Sequence, residues 1–120
     1  MIIRYNQPDN LNKIFQILDG TFSIERSENF SWIWTTTKVN GIVSNVDYII
    51  IKALSEIDNI LFYDNNQIEI KSNCLNIIKL NTAGKQEFNF RLENAFIPVN
   101  DNRELGLKIV GILVDGDVIF

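Results

Sequence analysis

The chain of 120 residues carries 11 Lys and Arg against 15 Asp and Glu, no His and a single Cys, with 46% hydrophobic and 22% charged residues. That length supports one domain, 1–120, with a hydrophobic core of its own, and the apolar and aromatic content is too high for a disordered chain. A formal charge of −4, with basic residues scattered singly from Arg4 to Lys108, argues against nucleic acid or an anionic membrane as partner, since both require a basic face.

Met1 leads into Ile-Ile-Arg-Tyr-Asn rather than a charged and then apolar leader. The longest apolar run is far short of the ~18 residues that read as a bilayer span. Cys74 is alone, so no intrachain disulfide and no cysteine-based metal site is expected, and a reducing, cytoplasmic setting follows. No cofactor is implied. Asn29-Phe30-Ser31 fits a glycosylation sequon and is read as a chance match in an Asn-rich chain.

In chain order, the first patterned segment is Asp9 to Gly20. Leu11, Ile14, Phe15 and Leu18 fall at helical spacing between a capping-type Asp-Asn and a glycine, which gives a short helix as the local expectation and a strand over Ile14 to Leu18 as the rival. Phe30-Ser31-Trp32-Ile33-Trp34-Thr35 follows as a strand. Asn40-Gly41 reads as a tight turn before the β-branched run Tyr48-Ile49-Ile50-Ile51.

Asp64-Asn65-Asn66 is the next turn, leading to the alternating strand Gln67-Ile68-Glu69-Ile70-Lys71. A strand through Leu75-Asn76-Ile77-Ile78-Lys79-Leu80, a turn at Ala83-Gly84 and the alternating Glu87-Phe88-Asn89-Phe90-Arg91-Leu92 come after it. A long strand from Leu107 to Val114 then meets Asp115-Gly116, whose positive φ angles suit a two-residue hairpin.

Many short period-two strands joined by polar turns predict an all-β, antiparallel β-sandwich of jelly-roll type, with at most one short N-terminal helix. The expected core is the apolar faces of Ile49, Ile51, Ile68, Ile70, Phe88, Phe90, Ile109, and Val110 or its neighbours.

Two constellations carry candidate chemistry. Phe30, Trp32 and Trp34 share one face of their strand, and an exposed aromatic plane with polar neighbours suits a sugar ring, so Trp32 and Trp34 with Glu25, Arg26 and Asn29, and Tyr5 nearby, are the candidate ligand-binding residues. Buried core is the commoner fate of such a stripe. The expected compromise is one buried and one partly exposed tryptophan.

The second constellation is the loop 98–106. There Arg103 is expected to sit between Asp101 and Glu104 and tie the loop down, while Gly106 lets the chain turn into the next strand. A calcium site from Asp101 with Asp115 or Asp117 is the rival use of these carboxylates; it lacks dedicated ligand spacing, and no metal is expected. Without histidine an enzyme would have to work through a carboxylate pair, and none is distinguished, so the chain reads as non-catalytic.

Phe96-Ile97-Pro98 followed by Asp101-Asn102-Arg103-Glu104-Leu105-Gly106 and an alternating strand resembles the C-terminal pattern of accessory β-sandwich modules in bacterial polysaccharide-biosynthesis proteins, often fused to glycosyltransferases or methyltransferases. Gly20-Thr21-Phe22-Ser23-Ile24-Glu25 and the Trp32–Trp34 strand look like the N-terminal part of that pattern, so the resemblance covers about residues 20–114. It implies a sugar-linked, non-catalytic role: binding a glycan, or positioning a glycan-synthesising enzyme in surface polysaccharide assembly. The alternative is a docking module that packs on a glycosyltransferase-type partner without a sugar site of its own.

Overall fold

A computed structural model describes residues 13–120 and the backbone of residues 3–7, and all regular structure there is β. In chain order the strands are β1 (Ile3–Gln7), β2 (Lys13–Thr21), β3 (Glu25–Arg26), β4 (Ser31–Ser44), β5 (Tyr48–Leu54), β6 (Asn59–Tyr63), β7 (Asn66–Ile70), β8 (Asn76–Asn81), β9 (Glu87–Leu92), β10 (Lys108–Val114) and β11 (Asp117–Val118). The ladders are antiparallel, and the sheet runs in the order β7-β6-β9-β4-β10-β5-β8. No described helix is long and apolar enough to cross a membrane.

β4 organises the rest. Its C-terminal part pairs with β2 on one edge, Phe15 opposite Val43, and with β9 on the other, Val39 opposite Phe90. Its N-terminal part pairs with β3 and β10, Ile33 opposite Ile109. The change of partners falls at Thr35-Thr36-Thr37, where threonine hydroxyls supply bonds that the interrupted ladder lacks. Thr35 Oγ1 accepts the Leu107 N–H at 2.9 Å and donates to the Thr36 carbonyl at 2.7 Å, and the Thr36 hydroxyl donates to the Lys38 carbonyl at 2.8 Å.

Thr35 is fully buried. Thr35→Val keeps the shape but orphans the Leu107 N–H, so a urea melt should show a loss of about 1–3 kcal/mol. Thr35→Ser, which keeps the oxygen, should cost less.

The two ends of the sheet return to each other. The Tyr63 hydroxyl on β6 donates to the Asn81 carbonyl on β8 at 2.6 Å. At the other end of the seam, the Asn76 side chain accepts the Lys71 N–H at 2.9 Å and donates to the Lys71 carbonyl at 3.0 Å. The antiparallel sheet is thereby nearly closed into a barrel, with side-chain bonds rather than a backbone ladder joining the two end strands, β7 and β8. Burial, with the Asp64 charge second, pushes the Tyr63 phenol up to about 12, so it remains a donor at neutral pH.

The interior holds Phe15, Ile17, Ile33, Ile49, Ile51, Ile70, Phe88, Phe90 and Ile109, with Phe15 stacked on Phe88 at a centroid distance of 5.1 Å. Ile68 is half-buried and packs against this core, and beside the half-buried Val110 its neighbours Ile109 and Ile112 supply the buried side chains. The β10 ladder with β5 shifts register between Ile109 and Gly111, and Ile112 takes the next inward position after Ile109.

The helical spacing at the N-terminus is overridden from Lys13 onward by two ladders, to β1 and to β4, and residues 9–12 lie outside those described. Phe15 and Ile17 face the core, whereas Ile14 and Leu18 are left 38% and 49% exposed. The glycine that looked like a helix stop, Gly20, has φ +99° at an irregularity in β2.

The Asp115-Gly116 hairpin forms as expected, with φ of 48° and 88° and Val114 opposite Asp117. Asp64-Asn65 joins β6 to β7, and Gly84 turns the chain with φ +75°. Asn40-Gly41 is no turn; it lies within β4, where a side chain on Gly41 would collide with the Phe88 ring and the Gln16 carbonyl.

Candidate functional site

Strand alternation on β4 turns Ile33 and Thr35 into the barrel, leaving Trp32 and Trp34 on the outside. The aromatic stripe is therefore not core, and the expected division into one buried and one exposed ring does not occur. Both tryptophans are half-buried on the outer face, and Phe30 beside them is 52% exposed. The Phe30 and Trp32 rings meet at 5.2 Å between centroids, tilted by 42°.

Lys108 lies opposite Trp34 in the β4–β10 ladder. Its ammonium is 4.5 Å from the Trp32 ring centroid, 5.6 Å from Phe30 and 5.9 Å from Trp34, all within range of a cation–π attraction. The Trp32 indole N–H is shielded from solvent and has no hydrogen-bond acceptor among the described residues. One face thus offers three aromatic rings and a cation held against them.

β3 carries Glu25 to a position opposite Trp32. Arg103 reaches it from the distant loop, Nη1 to the Glu25 carboxylate at 3.4 Å. The same guanidinium binds Asp101 through Nε and Nη2, at 2.9 Å and 2.6 Å to Oδ2, and its own backbone N–H donates to Asp101 Oδ1 at 2.9 Å. These bonds, the side-chain ones first, hold the Asp101 carboxyl below the ordinary carboxylate range and raise the Arg103 pKa. The Arg103 guanidinium also lies over the Phe22 ring, 5.1 Å from its centroid.

The aromatic stripe and the loop, separate in the sequence, therefore meet through an ion pair between residues 78 positions apart. Arg103 is a clamp, as its residue type suggested, but its second partner is Glu25 rather than Glu104, which is exposed. Gly106 is required for close approach rather than for a turn: a side chain there would lie 2.5 Å from both the Leu92 methyl and the Thr36 carbonyl.

Arg26 pairs with Ser31, on the side opposite Trp32 by alternation, so it is not brought onto the stripe, and Asn29 lies in the exposed link before β4. Tyr5 falls in β1, whose side chains are outside those described. Lys108 and Phe22 join the site without having been among the candidate ligand-binding residues. Lys108 is the first residue of an alternating strand, and its meeting with the tryptophans depends on register.

The carboxylates weighed for calcium are engaged apart from one another. Asp101 is bound to Arg103, and Asp115 accepts the N–H groups of Asp47 and Tyr48 and faces Lys13 at 2.7 Å. Among the described residues no group of three His, Cys, Asp or Glu gathers as a metal site.

Because Arg103 keeps about a third of its surface in water, the clamp's strength is tempered by solvent. Arg103→Ala is expected to lower stability by about 1 kcal/mol. Arg103→Lys should recover little of the loss, since an ammonium cannot reproduce the forked contact with Asp101. Thermal melts of the two variants at low and high salt check this.

Comparison of the chain with protein-family models, with characterised proteins and with solved structures finds no match in any of the three.

Proposed function

We propose that the chain is a non-catalytic carbohydrate-associated module that binds a glycan on the outer aromatic face of β4. The observation that carries this reading is the position of both tryptophans, partly exposed on one outer face with Phe30, and flanked by Glu25, Arg103 and Lys108. Sugar rings stack their C–H faces on such planes, and charged and polar groups at the rim bind hydroxyls. The ions beside the rings are largely committed to each other, Arg103 to Asp101 and Glu25, which supports a binding face rather than a pair of carboxylates poised for acid–base work.

The module would act in surface polysaccharide assembly, alone or beside a glycosyltransferase-type enzyme, in the bacterial cytoplasm. The exposed, unpaired Cys74 supports a reducing setting. Extents of 45 × 36 × 23 Å support reading the curved sheet as two facing layers, a flattened jelly-roll-like sandwich.

A protein-docking reading draws on Phe30 and Ile77, 52% and 57% exposed. Tryptophan fluorescence separates the two, because both tryptophans of the chain are in the site. Saturable change on adding oligosaccharides, lost in Trp32→Ala, supports the glycan reading. A flat response across a broad panel removes it and leaves docking.

A further inference from the structure

We infer that the glycan this face takes is an acidic one, a carboxylate-bearing sugar chain laid along a diagonal of three lysines that begins at the tryptophans. This rests on the glycan reading above and adds the ligand's charge. The outward positions of β5 and β8 are Tyr48, Ile50, Lys52, Leu54, Ile77, Lys79 and Asn81, with no carboxylate among them. Register aligns the lysines. Lys108 on β10 is opposite Leu54, Lys52 lies two residues along β5 and opposite Ile77, and Lys79 lies two residues further along β8, opposite Ile50.

None of the three ammonium groups has a carboxylate within 4.0 Å among the described residues, which they share with Arg26, Lys38 and Arg91 but not with Lys13, Lys71, Lys85 and Arg103; what sets the three apart is that register places them in one row. The Lys52 stem lies across Gly111 of β10, the Lys79 ammonium is 4.7 Å from the Tyr48 ring centroid, and the Lys108 ammonium rests on the tryptophans. An ammonium held against a ring face keeps its N–H donors for another acceptor. Basic residues that look scattered in the sequence of an acidic chain are thus gathered by register on one face, beside its aromatic rings.

One strand step sideways and two residues along separate successive lysines by about 8 Å, so the three ammonium groups form a row rather than a cluster. The carboxylates of an acidic sugar chain can meet such a row, and its rings supply the apolar faces that the tryptophans and the intervening Ile and Leu side chains can cover.

The test titrates the intact protein with oligogalacturonate, oligomannuronate and a glucuronate-containing oligosaccharide. Each is compared with its carboxyl-reduced neutral counterpart and with oligothymidylate of equal charge, and tryptophan fluorescence is recorded. At least one uronate should bind at least tenfold tighter than its reduced form, weaken as salt is raised, and lose that preference in Lys108→Gln and in the Lys52→Gln/Lys79→Gln double variant. Circular dichroism confirms that the variants are folded. Equal binding of acidic and neutral sugars overturns the inference and leaves the glycan reading standing. Preference for oligothymidylate overturns it in favour of single-stranded nucleic acid, and silence from every probe overturns both.

Discussion

Phe88→Ala is expected to lower the free energy of unfolding by about 3–5 kcal/mol, the range for emptying the space of a buried aromatic ring. Phe88 is 1% exposed, stacks on Phe15 with an interplanar angle of 19°, and fills the volume that Gly41 leaves open in the neighbouring strand. The cavity cannot close, because Phe15 on β2 and Gly41 on β4 are held in ladders on both sides. Urea denaturation measures the loss.

A double-mutant cycle refines the test. Gly41→Ala should be strongly destabilising in the wild-type background and less so beside Phe88→Ala, since the ring it strikes is gone. Rescue should be partial, as the Gln16 carbonyl remains 2.5 Å from the added carbon.

Asp115→Ala should cost about 2–4 kcal/mol, through two orphaned N–H groups and one stranded ammonium. Asp115 Oδ1 accepts from Asp47 N–H at 2.9 Å and Tyr48 N–H at 3.1 Å, and Oδ2 meets the Lys13 ammonium at 2.7 Å. One side chain in the β10–β11 turn therefore ties together β2, β5 and the C-terminal hairpin. Its φ of 48° adds to the cost, since alanine tolerates that conformation less well than Asp or Asn. Asp115→Asn, which keeps the turn and an acceptor oxygen, should be milder.

The same carboxylate sets an acid limit. Burial opposes its ionisation and is the largest single influence, but Lys13 and the two N–H groups together outweigh it and hold its pKa below the ordinary value. A carboxylate lowered in the folded state contributes stability above its unfolded pKa, about 3.9, and that contribution disappears as pH falls through the folded value. Asp58 and Asp101 are lowered as well and act in the same sense. Melting temperature should thus drop steeply below about pH 4, and the drop should be shallower in Asp115→Asn.

What could be read from the sequence was what local chemistry determines. Asp115-Gly116 supplies two positive φ angles between alternating strands, and the hairpin is there. Asn40-Gly41 carries a turn signal of the same kind for another reason: the glycine makes room for Phe88, a residue 47 positions away that no local pattern reveals. Ile14 and Leu18 fit a helical stripe, but ladders on both sides of β2 outweigh local spacing.

The site divides in the same manner. Alternation placed Trp32 and Trp34 on a common face, and the composition of the loop singled out Arg103 as a clamp. Which face looks outward depends on the whole barrel, and Ile33 and Thr35 take the inner side. The Glu25–Arg103 contact and the lysine diagonal arise from strand register, which pairs residues far apart in the chain.

The most direct test of the outer face as a glycan site is the nuclear magnetic resonance signal of the two indole N–H groups, one from each tryptophan in the chain, during titration with an acidic oligosaccharide from the panel above. Both signals should move together and saturate at one dissociation constant, with the larger change at Trp32, against which Lys108 rests. If both stay in place at millimolar sugar while the protein remains folded, the aromatic face is not the site.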